Sequence, residues 1–251
     1  VSIETTVMRA RERWERNAGY WARVIREDRD RFRTELTDSA VLDAIGDCSG
    51  LRVLDAGCGE GYLSRRMAGA GARVVGVDAC RGLIRAAGAD ARPGSVSFVQ
   101  ASADALPSAD GSFDLAVCNH LFSHLYNAEG AIDEFGRVLA GGGRLVILTL
   151  HPCFYAGRSE RGSRRSVPAD EYFSLRGIEQ HFNVGGLESP SVITSWLRPL
   201  EWYARVLRGS GFVITDLREP HPSPEQLRDD PWWRDSFPTP LFMLLTAEHR
   251  G

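Results

Sequence analysis

The chain has 251 residues, 43% of them hydrophobic, with a formal net charge of -3 and a pI near 6.1. That length suits one substantial domain with a cap or insertion and does not require two independent cores. The charge supplies no general basic field of the kind that sequence-independent nucleic-acid binding uses, so a small-molecule partner is favoured over nucleic acid.

All 30 basic residues are arginine, which reads as coding bias rather than as a recognition device. Cys48, Cys58, Cys80, Cys118 and Cys153 are odd in number and scattered, with neither CxxC nor Cys/His ligand spacing. Neither a disulfide framework nor a metal site is expected, and reduced, buried thiols are. The first residues form no apolar leader, and no run of about 18 apolar residues occurs, so no membrane segment is expected. The chain reads as soluble and cytoplasmic, and a homodimer is compatible with it.

Residues 7 to 36 place Val7, Trp14, Trp21, Val24, Ile25, Phe32 and Leu36 among Arg and Glu at spacings of three, four and seven, the pattern of amphipathic helices. Gly19 and Tyr20 mark a break between two of them. From Leu51 onward, short β-branched runs alternate with Gly, Asp and helical stretches, which predicts βα units and a parallel sheet. Strands are expected at Arg52–Asp55, Arg73–Asp78, Ser95–Gln100, Phe113–Asn119, Arg144–Leu150, Phe212–Glu219 and Leu241–Ala247. The fold class is α/β: a Rossmann-like, seven-stranded, mainly parallel sheet with helices on both faces. Residues 1–45 form a helical cap and 46–150 the ligand-binding core. Residues 151–198 are an insertion over the ligand edge, with an arginine-rich piece from Arg158 to Arg165, and 199–251 complete the sheet. The stretch 220–240 carries six prolines and the Trp232-Trp233 pair.

The sequence VLDAGCGEG, Val53 to Gly61, ends a strand in Asp55 and turns through Gly57, Cys58 and Gly59, where missing Cβ atoms let backbone approach a ligand. A dinucleotide fingerprint wants a third glycine where Tyr62 stands, and Asp55 would repel a pyrophosphate. A nicotinamide oxidoreductase fails on both counts, and a cationic ligand without phosphates fits. Asp78 ends the second strand, placed to accept ribose hydroxyls. Asp104, with Ala103 and Ala105, follows the third strand and could accept an adenine amino group.

Taken together, VLDAGCGEG, VVGVDA, QASADALP and FDLAVCNHLFSHL resemble motifs of class I S-adenosylmethionine-dependent methyltransferases, small-molecule branch. EFGRVLAGGGRLVI resembles the segment entering strand five. The resemblance covers residues 51 to 150 closely and RPLEWYARVLRGSGFVITDLREP more loosely. It implies S-adenosylmethionine as cofactor, with Asp55, Gly57, Cys58 and Gly59 along its methionine part, Asp78 and Ala79 at the ribose, Ala103, Asp104 and Ala105 at the adenine, and Asn119 in the strand-four crevice. The N-terminal helices resemble a family cap in which an aromatic or arginine closes over the cofactor carboxylate; Tyr20 and Arg33 are the candidates.

Methyl transfer is an in-line displacement on an already activated methyl, so the protein supplies alignment and, where needed, a base. The ends of strands four and five offer His151 as first candidate for general base and His120 as second. His124, four residues from His120, lacks a carboxylate ligand, and a metal-independent reaction is expected. Trp21, His181, Phe154, Tyr172 and Trp196 are candidate walls of an aromatic substrate pocket. The end of strand four reads CNHLF rather than the Asn/Asp-Pro-Pro-aromatic run of the family's DNA-base and glutamine-amide enzymes. The expected reaction is methylation of O, N or an electron-rich carbon of a small secondary metabolite. The alternatives are a methyltransferase acting on RNA or protein and a cofactor-binding homologue without turnover.

Overall fold

The computed structural model of the chain describes residues 3–90, 96–155 and 167–251; the Arg158–Arg165 cluster and Ser95 lie outside the described residues. In chain order the elements are α1 (Ile3–Arg26), a π-helical turn (Arg33–Thr37), α2 (Asp38–Ile45), β1 (Arg52–Ala56), α3 (Tyr62–Gly69), β2 (Arg73–Asp78), α4 (Arg81–Ala89), β3 (Val96–Gln100), β4 (Phe113–Asn119), a 3-10 turn (Phe122–His124), α5 (Ala128–Val138) and β5 (Leu139–Leu150). The insertion holds α6 (Ala169–Tyr172), β6 (Arg176–Gln180), β7 (Asn183–Val184), β8 (Leu187–Glu188) and β9 (Ile193–Leu197). After it come α7 (Leu200–Gly209), β10 (Phe212–Arg218), α8 (Pro224–Asp229), α9 (Pro231–Ser236) and β11 (Phe242–His249).

The main sheet has the order β10-β11-β5-β4-β1-β2-β3, parallel except for β11, which runs antiparallel to both neighbours. Alternation along its central strands feeds two cores. Leu54, Ala56, Ala116, Cys118, Leu145 and Ile147 pack one face against Ile132 and Phe135 of α5 and Tyr203 and Leu207 of α7. Val53, Leu115, Val117, Val146 and Leu148 pack the other against Val41 and Ile45 of α2, Leu63 and Met67 of α3, and Trp233 of α9. Both faces are covered, which is why these strands read as near-continuous apolar runs. The chain leaves β1 on one side toward β2 and β3 and returns on the other as β4, so the crevice opens where β1 and β4 end.

The expected helix break at Gly19-Tyr20 does not occur, and α1 runs unbroken to Arg26. A Cβ at Gly19 would meet nothing within 4 Å, so this glycine serves no close packing and costs the helix only about 1 kcal/mol. The chain turns at Asp28 instead, a non-glycine residue with φ +48°. The insertion, expected only as a cover, forms two small antiparallel ladders, β6 with β9 and β7 with β8. The prolines of 220–240 open α8 and α9, capped by the side chains of Ser223 and Asp230.

α1 straps the insertion to the core. The Asn17 amide donates to the Ser191 carbonyl at 2.9 Å and accepts from the Ser191 N–H at 3.0 Å. At the other side of the helix, Glu15 accepts from the backbone N–H groups of Arg81 and Gly82 at the start of α4. The space enclosed under this strap is the crevice of the sheet.

Candidate active site

Two connected chambers occupy that crevice. The larger encloses about 1270 Å³, partly open to solvent, between α1, the glycine turn, the end of β4 and the insertion. The smaller, about 750 Å³, lies along the ends of β2 and β3. Trp14, Gly57, Leu121 and His124 line both and stand where the two adjoin.

The smaller chamber collects Asp78 and Ala79 from the end of β2 and Ala103 and Asp104 from the loop after β3. Asp78 accepts from the N–H of Gly59 at 3.0 Å and of Cys80 at 2.8 Å, which ties the β2 end to the glycine turn. Burial raises its carboxyl to about 6, the two N–H donors acting against that rise. Asp104 is held by the Ser102 hydroxyl and by the Asn127 amide at 3.1 Å, so its carboxylate is oriented by two side chains. Ala105 is exposed outside the chamber, paired back to Ser102.

Asp55, Gly57, Cys58, Gly59, Arg33, Asn119 and His120 line the larger chamber. Asp55 is 1% exposed and accepts from the Ser64 hydroxyl of α3, and burial raises its carboxyl to about 6. Asn119 donates to the Tyr62 phenol at 2.8 Å, and that phenol donates to Asp38 at 2.9 Å. Asp38 also meets Arg33 at 3.0 Å and Arg66 at 3.1 Å, and the Arg33 guanidinium lies 4.7 Å from the centre of the Tyr62 ring. Tyr62, read from the sequence as the missing third glycine, is the centre of this network.

Four residues that line the larger chamber each carry a buried polar atom with no hydrogen-bond partner: Arg33 Nε, Asn119 Oδ1, Trp21 Nε1 and Ser123 Oγ. Buried groups of this kind cost about 1–3 kcal/mol each unless something satisfies them, so their concentration around one cavity marks a place for a polar ligand. His120 adds a second mark. It is a non-glycine residue at φ +57°, a conformation maintained at a cost where function requires it. Its Nε2 lies 3.4 Å from the Thr37 hydroxyl, and burial together with the Arg33 charge lowers its imidazole to about 4.

Several residues nominated from the sequence lie elsewhere. His151 is 3% exposed, is not part of either chamber, and has both ring nitrogens engaged: Nε2 with Glu219 at 2.8 Å and Nδ1 accepting from the Cys153 N–H at 3.2 Å. Phe154 covers its ring at 4.8 Å on the outer surface. Tyr20 lines neither chamber; it packs with Val24 and Val184, with its hydroxyl on the Phe182 carbonyl. His181 is exposed and bonded to the Ser189 carbonyl, Tyr172 accepts from the Leu200 N–H, and Trp196 packs edge-on against Tyr126. These aromatics build the insertion itself; of the aromatics proposed from the sequence as substrate walls, Trp21 lines the chamber, as do Tyr155 and Phe182 of the insertion. Walls the sequence did not single out include Phe32, Leu83, Leu150 and Phe242. They come from four separate segments, and no local pattern brings them together.

Residues 54–147, which carry the glycine turn, Asp78, Asp104 and the end of β4, match the family model described as a methyltransferase domain. The ubiquinone biosynthesis O-methyltransferase of Xanthomonas oryzae is 30% identical over 158 residues, 62% of this chain and 64% of that one. The demethylmenaquinone methyltransferase of Renibacterium salmoninarum is 37% identical over 45% of this chain and 48% of its own length. The chain thus spans less than two thirds of the length of these curated relatives. Among solved structures, an S-adenosylmethionine-dependent methyltransferase from Mesorhizobium loti aligns with a TM-score of 0.69 and 25% identity, over 84% of this chain and 96% of that one. A putative S-adenosylmethionine-dependent methyltransferase from Listeria monocytogenes aligns with a TM-score of 0.71 and 20% identity, over 85% and 96%. The fold is the Rossmann-like methyltransferase fold.

Proposed function

We propose that the chain is an S-adenosylmethionine-dependent methyltransferase that modifies a small, aromatic or otherwise hydrophobic secondary metabolite without a metal. One observation carries the reading: the two chambers meet at Gly57, with Asp78 and Asp104 in one and four unpaired buried polar atoms in the other. The residues fit the cofactor by type. Asp78 and Asp104 offer acceptors for ribose hydroxyls and an adenine amine. Arg33 Nε is an unused donor for a carboxylate, and Asn119 Oδ1 and Asp55 are acceptors beside a cationic group.

The cofactor supplies a methyl group activated by its sulfonium. This chain supplies alignment of the acceptor, exclusion of water under α1, and a place for the acceptor's proton. Of the two histidines nominated as base from the sequence, His120 lines the chamber and His151 does not. The apolar walls and the cover given by α1 and the insertion support a metabolite over an RNA or protein acceptor, in keeping with the quinone names of the two curated relatives.

Isothermal titration with S-adenosylmethionine tests the central claim. The wild type should bind, Asp78→Ala should bind far more weakly, and a wild type that does not bind overturns the reading. Incubation with methyl-labelled cofactor and fractionated metabolite extract then identifies the acceptor.

A further inference from the structure

The boundary shared by the two chambers contains a histidine that the sequence treated only as a neighbour of His120. His124 closes the 3-10 turn after β4 and lines both chambers. Its Nδ1 lies 3.3 Å from the carbonyl oxygen of Thr194 on β9. A carbonyl only accepts, so Nδ1 carries the proton and Nε2 keeps the lone pair. The ring is held by the Trp14 indole, edge-on at 5.0 Å between centroids. Thr194 is fixed in turn: the Arg13 guanidinium of α1 donates to its hydroxyl at 2.7 Å. The strap and the insertion together therefore set the tautomer of a histidine at the mouth of the cofactor chamber.

His120 is not locked in this way. Its Nε2 faces a threonine hydroxyl, which can donate or accept, so neither tautomer is enforced.

Ser123 stands next to His124, lines the larger chamber and is 1% exposed, and its buried Oγ has no hydrogen-bond partner. A buried hydroxyl that can donate, next to an imidazole that can only accept, suits a group that does both. An alcohol or phenol does so; a carboxylate does not.

Resting on the methyltransferase reading above, we propose that His124 is the general base and that, with Ser123, it receives the hydroxyl of a neutral acceptor, making the reaction an O-methylation. The acceptor oxygen forms the new bond to the methyl carbon, and the carbon–sulfur pair leaves with sulfur as a neutral thioether. The hydroxyl proton passes to Nε2 of His124 and from the imidazolium to water. Charge is conserved: the positive charge that sulfur loses appears on the imidazole and then as a solvated proton.

The first test needs no turnover. In histidine-labelled protein, nitrogen NMR should report His124 as the Nδ1–H tautomer; an Nε2–H tautomer overturns the proposal. The second uses His124→Asn, whose side-chain amide can still donate to Thr194 while lacking Nε2. It should bind S-adenosylhomocysteine within about twofold of wild type and lose about 10²–10⁴ in kcat toward the acceptor found by methyl labelling. Ser123→Ala should act mainly on acceptor KM, and His120→Asn should cost less in kcat than His124→Asn. Retained kcat in His124→Asn, or a product methylated on carbon or nitrogen, overturns the proposal. Failure of the wild type to bind S-adenosylhomocysteine overturns the methyltransferase reading instead, with the NMR result still interpretable.

Discussion

Asn119 at the end of β4 donates to the Tyr62 hydroxyl at the start of α3 across 2.8 Å, joining the two elements that flank the crevice. The same phenol donates to Asp38, so one oxygen orients both the strand-four amide and the acid that holds Arg33. Tyr62→Phe should leave the packing intact and remove both hydrogen bonds. A loss of about 1–3 kcal/mol in urea unfolding is expected, with weaker binding of S-adenosylmethionine because Asn119 and Arg33 lose their fixed orientation. Unchanged binding would mean that this network stabilises the fold without preparing the site.

The two buried carboxyls predict opposite responses of stability and binding to pH. Asp55 has an ordinary value of 3.8 and is raised to about 6 in the folded chain, so the folded state binds its proton more tightly than the unfolded state does. The stabilisation is complete below pH 4 and is lost as pH rises toward 6, by about 3 kcal/mol for a shift of this size. Asp55→Asn should therefore gain stability relative to wild type between pH 4.5 and 7.5, and parallel stability curves would refute the assignment. Cofactor affinity should move the other way, rising from pH 5 to 7 as Asp55 and Asp78, also raised to about 6, acquire charge. Titration calorimetry across that range measures it, and Asp78→Asn should flatten the profile.

His151 illustrates what its strand-end position alone suggested and what its surroundings decide. With Nε2 on Glu219 and Nδ1 on the Cys153 N–H, it anchors the start of the insertion to the chain that follows β10. His151→Gln should lower thermal stability by about 1–2 kcal/mol and leave turnover within about threefold of wild type. A loss of turnover matching that of His124→Asn would return His151 to the chemistry.

The sheet was legible because its central strands are buried apolar runs: β2 and β4 fall where the sequence put them, and the others differ by a few residues at their ends. β5 begins earlier, at Leu139, because a register shift between Phe113 and Leu115 lets Leu139 pair before the regular ladder resumes at Arg144. The gathering of Asp55, Gly57, Gly59, Asp78 and Asp104 along the crevice was equally legible, since they follow strand ends at fixed offsets. The substrate side was not. β7 and β8 are two residues each, too short for any alternation to register, and the aromatics of the insertion divide between its own packing and the chamber by tertiary contacts alone. His124 was visible as a residue, but its role depends on the Thr194 carbonyl, 70 positions away in the chain.

The glycine turn allows packing and ligand approach to be separated by two substitutions. Gly57 and Gly59 both lie at positive φ, +72° and +58°, so alanine at either position incurs a similar backbone strain of about 1–2 kcal/mol. Their surroundings differ. A Cβ on Gly57 would come within 2.7 Å of Leu121 Cβ, whereas one on Gly59 would meet nothing within 4 Å. Gly57→Ala should therefore add a steric cost to the strain, lowering stability by more than about 2 kcal/mol and displacing Leu121, which lines both chambers. Gly59→Ala should lose only the strain in unfolding experiments. Gly59 nevertheless lines the larger chamber and its N–H is bonded to Asp78, so an added methyl occupies space that the proposed cofactor would fill. Calorimetry should then find Gly59→Ala nearly as stable as the wild type but with S-adenosylmethionine binding reduced about tenfold or more. Wild-type affinity in that variant would show that the open space beside Gly59 is not where the cofactor approaches the backbone.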